Sequence, residues 1–310
     1  MLRLFVFAHF DRDDVIDPYV ISYVSALSRF GAVIFVSTSR LSDAEISKVQ
    51  PYTIRAICRP NIGYDFMSWQ VGLGLVGQRD LYDEIVTCND SVYAPIFPLG
   101  EMFEVMERSQ AAYWAVTSNS EVAPHLQSYF IAFRRPVFQS REFWQFWDDV
   151  GLQPSKRALI EAYEVGLSVL LEGLGFSRAT YFSVDELLND ALKNFKWFSV
   201  LPLMTYHDLQ TQPLNVGRLL TGSYNKSLTL WRELILSRVP MIKVELLRDN
   251  PTNHQVDEVL AAMERHSVYP VQIIRNHLRR MRSSSRNVDL GFNELGTCTA
   301  RQISDADARH

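Results

Sequence analysis

The sequence is poor in cysteine, has no surplus of positive charge and contains no long apolar run, and each shortage removes a class of protein. Its three cysteines, Cys58, Cys88 and Cys298, are odd in number and widely spaced over 310 residues. Neither a disulfide framework nor a zinc site is indicated, and a reducing cytoplasm is the expected setting. The net charge of −4 gives no reason to expect nucleic acid as a partner. No apolar stretch approaches the roughly 20 residues of a membrane span, and the strand-like start is interrupted too soon by His9 and Asp11 to be a signal peptide. What is present is 47% hydrophobic residues, enough to bury a large core.

Over the first 120 residues, strand and helix patterns alternate. A strand over 2–8 is followed by Ile16, Tyr19, Val20, Tyr23, Val24, Leu27 and Phe30 at helical spacing, then by a strand over 32–37. Strands over 54–58, 84–88 and 113–117 continue the series, with helices over 65–77 and 98–108 between them. This alternation predicts an α/β fold with a mostly parallel central sheet and helices on both faces. Further on, the pattern predicts a strand over 128–133, helices over 141–150, 160–174 and 184–194, and two helical pieces over 226–247 broken at Pro240. Three parts are expected: a main domain over 1–225, a helical extension over 226–282 packed on it, and a disordered tail over 283–310.

Sheets of this kind bind ligands outside the carboxyl ends of their strands. Four polar clusters end the predicted strands: His9-Phe10-Asp11, Ser37-Thr38-Ser39, Arg59-Pro60-Asn61-Ile62-Gly63 and Asn89-Asp90-Ser91. They should share one rim. Asp65, read as a helix N-cap, follows the third, where exposed N–H groups could meet a phosphate or form only a turn. "APHLQSYFIAF" places His125, Gln127, Ser128 and Tyr129 before a strand, a mixture of polar groups suited to sugar hydroxyls or to plain structural bonding. Glu164 lies in the first turns of its predicted helix, where a carboxylate either serves the helix dipole or supplies a base on a rigid element.

Two motifs pull elsewhere. "GLGLVG", Gly72 to Gly77, matches a dinucleotide fingerprint in letters, but it lies at the far end of a predicted helix rather than at a strand-to-helix turn, and a closely packed helix end is the plainer reading. A nicotinamide oxidoreductase would require it at such a turn. "IIRNHLRRMRSSSR" combines Arg275, Arg279, Arg280, Arg282 and Arg286 with Ile273, Ile274, Leu278 and Met281. It reads either as a basic amphipathic helix resting on the inner membrane or as a solvated helix end.

Taken in order, "FAHFDRDDVIDPYV", "VSTSRLS", "RPNIGYDFMSWQVGL", "CNDSVYAPIFPL", "HLQSYFIAF", "AYEVGLSVLLEGLGF" and "PMIKVELLRDNP" resemble the rhamnan synthesis protein F family of bacterial polysaccharide glycosyltransferases, from about residue 3 to about residue 251. The resemblance implies a GT-A-like fold. It also implies an inverting rhamnosyltransferase that uses dTDP-L-rhamnose and a lipid-linked glycan acceptor in cell-surface polysaccharide synthesis, on the cytoplasmic side of the membrane. By motif position, Asn89-Asp90-Ser91 falls where such enzymes hold Mg²⁺ or Mn²⁺, with Asp90 the metal ligand and one carboxylate where the usual motif has two. Glu164 falls where inverting relatives carry the base. The donor is expected against His9, Asp11, Ser37, Ser39, Arg59, Asn61, Asp65, Asn89 and Asp90, and the acceptor against His125, Gln127 and Tyr129. A non-catalytic sugar-binding or scaffold subunit would keep the same rim and tolerate loss of Glu164.

Overall fold

The computed structural model describes residues 1–120, 122–183 and 225–293, with only the helical backbone for 226 and 284–293. Strand β1, Arg3–His9, is buried along all seven residues, as an apolar strand covered on both faces must be. Phe5 and Phe7 enter one apolar cluster while Leu4, Val6 and Ala8 enter the other, the two-residue alternation of a strand. Strands β2 (Gly31–Ser37) and β4 (Glu84–Asn89) flank it in parallel. With β3 (Arg55–Cys58), β5 (Val92–Tyr93), β6 (Tyr113–Ala115), β7 (Ser118–Asn119), β8 (His125–Leu126), β9 (Phe130–Arg134) and β10 (Arg178–Thr180), the main sheet runs β10-β6-β9-β4-β1-β2-β3. Only β9 runs antiparallel to its neighbours. This is the α/β, mostly parallel arrangement expected from the sequence.

Helices cover both faces. Helix α1 (Pro18–Leu27) turns Tyr19, Val20, Tyr23, Val24 and Leu27 into the cluster of Phe5 and Phe7. After the short helix α2 (Asp43–Ser47), helix α3 (Tyr64–Gly74) turns Phe66, Trp69 and Leu73 into the opposite cluster. Helix α4 (Leu99–Arg108) returns to the first. Gly72 lets α3 lie close on β1: a Cβ there would stand 2.3 Å from Val6 Cγ1. The glycine run thus closes a helix, and the strand-to-helix turn of a dinucleotide site is absent from it.

Four expectations are corrected. Asp65 does not cap α3; Gly63, left-handed at φ +73°, takes that position, and the Asp65 carboxylate is released to face Asn89. The helix bearing Glu164 starts at Lys156, and its Ile160–Val165 stretch is wound as a π-helix before Gly166–Gly173, so Glu164 lies well past the first turn and does not serve the helix dipole. The piece after Pro240 holds a strand, β11 (Ile242–Lys243), antiparallel to β5, before the helix Val244–Arg248. The last helix, Gln272–Asn293, extends past the expected start of the tail. The helix expected over 184–194 and residues 294–310 lie outside the described residues.

Residues of the C-terminal helices, Leu234, Leu246, Met263 and Ile274 among them, join the cluster that holds Phe5 and Tyr23. Ile274 and Leu278 of the last helix are buried there, so the apolar half of the basic segment faces protein rather than a bilayer. Among the described residues, no helix is long and apolar enough to cross a membrane.

Candidate functional site

The carboxyl ends of β1 to β4 do form one rim, and it opens on a cleft of about 1480 Å³. Asp11, Asn61, Asp65, Asn89 and Asp90 line it from the sheet side. His125, Gln127, Tyr129 and Glu164 line the opposite wall. Asp90 and Glu164, far apart in the chain, thus face a common space.

Asn89 organises the turn after β4. Its Oδ1 accepts from the Ser91 amide (3.1 Å) and hydroxyl (2.6 Å), and its Nδ2 donates to Asp65 Oδ2 (2.7 Å). Asn89 therefore caps this turn. Asp90 instead accepts the Phe10 amide through Oδ2 (2.8 Å), joining the ends of β4 and β1. Burial pushes the Asp90 carboxyl well above its ordinary value, and the negative charge of Asp65 adds to it. Asp65 is raised too, first by burial and, despite the Asn89 bond, by the charge of Glu164. Among the described residues neither makes an ion pair with lysine or arginine; Lys156 and Arg59 act on Asp65 only at longer range.

His9 lies behind this pair. Ser37 Oγ accepts the Ser39 amide (3.1 Å) and lies 2.9 Å from His9 Nδ1, while His9 Nε2 stands 3.9 Å from Asp90 Oδ2. Burial takes the imidazole down to about 4, which leaves it neutral at physiological pH. Ser39 bonds the Asp11 backbone at both N–H and C=O. His9, Ser37 and Ser39 therefore brace the rim from behind, outside the cleft lining. Arg59 turns into its own loop, donating to the carbonyls of Pro60 and Ile62 at 2.7 and 2.8 Å, and also stays out of the lining.

On the far wall, Glu164 Oε1 accepts a short hydrogen bond from Ser128, and Oε2 stands 3.4 Å from His125 Nε2. His125 Nδ1 is 2.7 Å from the Ala123 carbonyl, which fixes the ring against the carboxylate. Burial works to raise the Glu164 carboxyl, but the bonds from His125 and Ser128, with the charge of Lys243, outweigh it and hold it below its ordinary value. Each carboxylate oxygen has two lone pairs, so both retain accepting capacity toward the cleft. Tyr129 OH and Gln127 Oε1 are engaged by Thr117 Oγ1, and Gln127 Nε2 donates to Asn225 (3.2 Å).

Two contributors went unseen in the sequence. Arg280, in the basic segment, reaches back to Asp11, bonding both of its carboxylate oxygens, and to Asp13 (2.6 Å) and Asp17 (3.1 Å). Asp11 is thereby committed to the last helix, which supplies His277, Leu278 and Met281 to the lining. Lys243 enters from β11; the only advance signal was its place in "PMIKVELLRDNP".

A divalent cation, implied by the resemblance, asks for hard oxygen ligands. Asp65 and Asp90 fit it in kind, being two carboxylates near enough that the charge of Asp65 raises Asp90. Among the described residues no three His, Cys, Asp or Glu side chains group to hold a metal. Remaining ligands would have to come from a bound phosphate and water, the usual arrangement for Mg²⁺.

The chain matches rhamnan synthesis protein F (RgpF) over residues 33–206, more than half of its length. It belongs to that family. Asp65, Asp90 and Glu164 fall within the stretch matched to RgpF, whereas Lys243 and Arg280 lie beyond it. The chain is similar to "Virulence protein VirA" of Vibrio anguillarum, 28% identical over 230 residues, 71% of this chain and 72% of that protein. It is also similar to "Uncharacterized protein y4gN" of Sinorhizobium fredii, 26% identical over 186 residues, 58% of this chain and 48% of that one. Among solved structures, core-mannan synthase A from Aspergillus fumigatus in its Mn/GDP form aligns at TM-score 0.32 and 11% identity, covering 54% of this chain and 69% of that one. The apo glycosyltransferase GlyE of Streptococcus pneumoniae aligns at TM-score 0.36 and 12% identity, covering 76% and 64%. Likenesses this loose carry no argument about activity, which rests on the family and the cleft.

Proposed function

We propose that this RgpF-family chain is an inverting glycosyltransferase that moves rhamnose from dTDP-L-rhamnose to a lipid-linked glycan acceptor at the cytoplasmic face of a membrane. The observation that carries the reading is the shared cleft: crowded carboxylates at the strand ends on one wall and an ionised, well-bonded Glu164 on the other.

The nucleoside would lie along the His9–Asp11 rim, with the diphosphate near Asp65 and Asp90. Mg²⁺ or Mn²⁺ held there would neutralise charge growing on the departing diphosphate. The acceptor hydroxyl oxygen attacks the anomeric carbon as the bond from that carbon to the diphosphate oxygen breaks, the diphosphate leaving with the electron pair. Glu164 takes the hydroxyl proton. His125 and Ser128 keep the Glu164 carboxylate ionised and aimed until that proton arrives.

The test is release of nucleoside diphosphate from a panel of nucleotide sugars, with a polyprenyl-linked glycan acceptor, in Mn²⁺ and in EDTA. Release of dTDP from dTDP-L-rhamnose that EDTA suppresses is expected. Glu164→Gln should lower kcat by roughly 10²–10⁴-fold, the usual worth of general-base help, with an unchanged melting temperature. Sugar binding without turnover of any donor would mean a non-catalytic subunit instead, and wild-type turnover in Glu164→Gln would remove that residue from the base role.

A further inference from the structure

The motif "PMIKVELLRDNP" has no task in the mechanism above, yet the fold ties it to the most charged part of the cleft. β11 lies antiparallel on β5 with Lys243 opposite Val92, and the Val244 amide donates to the Ser91 carbonyl at 2.8 Å. A second main-chain bond, Ile96 N–H to Pro240 O at 2.8 Å, closes the other end of the pairing. Lys243 is thus fixed by backbone beside the Asn89-Asp90-Ser91 turn. Side chains alternate along a strand, so Ile242 enters the core while Lys243 enters the cleft. Its ammonium stands 5.7 Å from the centroid of the Tyr129 ring and helps hold the Glu164 carboxyl low.

We infer that Lys243 binds the diphosphate of the nucleotide-sugar donor, as a fixed positive charge between the Asp90 turn and Glu164. This rests on the glycosyltransferase reading and adds to it the group that meets the leaving diphosphate from the protein side. Asp65 and Asp90 supply only negative charge, and Arg59 is spent on its own loop. Other cations line the cleft, Lys156 and Arg248 among them; Lys243 is distinguished by the main-chain pairing that fixes it beside the Asn89-Asp90-Ser91 turn. An ammonium is the fitting group: it is a compact point charge that meets phosphate oxygens without the planar geometry an arginine fork requires. The Tyr129 ring beneath the ammonium, 5.7 Å from it at the centroid, favours a cation at that position in the cleft.

The full-length chain is titrated calorimetrically with thymidine, uridine, guanosine and cytidine diphosphates and with thymidine, at two salt concentrations, with Mn²⁺ and with EDTA. In Lys243→Met, affinity for the preferred diphosphate should fall at least about tenfold in both metal conditions, while thymidine binding stays as in wild type. Lys243→Arg should recover most of the loss, and the Met variant should show a shallower salt dependence. The pairing of β11 is made by main chain, so the Met variant is expected to fold; Lys243→Gln carries the same test if it does not. Diphosphate affinity unchanged in a folded neutral variant overturns the inference and leaves the glycosyltransferase reading standing. Wild-type protein that binds none of the four diphosphates overturns both.

Discussion

The two ends of β4 handle buried charge in opposite ways. At its start, Glu84 is wholly buried and fully matched: Arg3 Nε lies 2.7 Å from one oxygen, and Arg134 Nε (3.2 Å) and Trp114 Nε1 (3.0 Å) meet the other. Arg3 also reaches Glu107 at 2.7 Å. At its far end, Asp90 sits beside Asp65 with no lysine or arginine paired to either among the described residues. One strand thus carries a balanced cluster at the closed end of the sheet and an unbalanced one at the open end. A balanced buried cluster is spent on holding the fold together. An unbalanced one is tolerated by protonation or by a ligand that supplies the missing charge, and so marks a candidate binding site.

The contrast is testable. Glu84→Ala leaves the buried Arg3 with Glu107 alone and the partly buried Arg134 without a carboxylate, and should cost about 3–5 kcal/mol of stability, read as a lower denaturant midpoint. Arg280→Met should cost less, about 1–2 kcal/mol, because the guanidinium is a quarter exposed and Asp13, unlike the buried Asp11 and Asp17, already meets solvent. Asp90→Asn should go the other way, gaining about 1 kcal/mol at neutral pH, a rise of about 2 °C in Tm, while abolishing transfer. The sign follows from the raised carboxyl. Folding favours its protonated form, so the wild-type contribution is fully present below the ordinary value of 3.8 and is lost as pH rises through the folded value. The gain in Asp90→Asn should therefore vanish near pH 3.8 and below and grow as pH rises. An Asp90→Asn chain less stable than wild type at pH 7 would break the comparison.

The rim was legible because parallel strands alternating with helices put every strand end on one edge, and β1 to β4 announce themselves by apolar runs ending in polar clusters. The meeting of Asp90 with Glu164 followed from that rule and the resemblance. Asp65 was misplaced because a carboxylate near a helix start looks like a cap, and nothing in the letters shows that Gly63 takes the left-handed position instead. β11 was invisible because two residues have no periodicity, and what makes them a strand is β5, supplied from the other end of the chain. Arg280 was read for a membrane or for solvent because its three aspartate partners belong to the first loop, and sequence spacing says nothing of such a pairing.

The pairing of β5 with β11 also sets an order of assembly. During synthesis the first strands and α1 can collapse on one another while the segment that walls the cleft is still inside the ribosome. A nascent chain that has the acidic rim but has not yet released residue 243 lacks the strand that carries Lys243 into the cleft. That wall of the cleft is therefore completed late, once β11 has emerged to pair with β5.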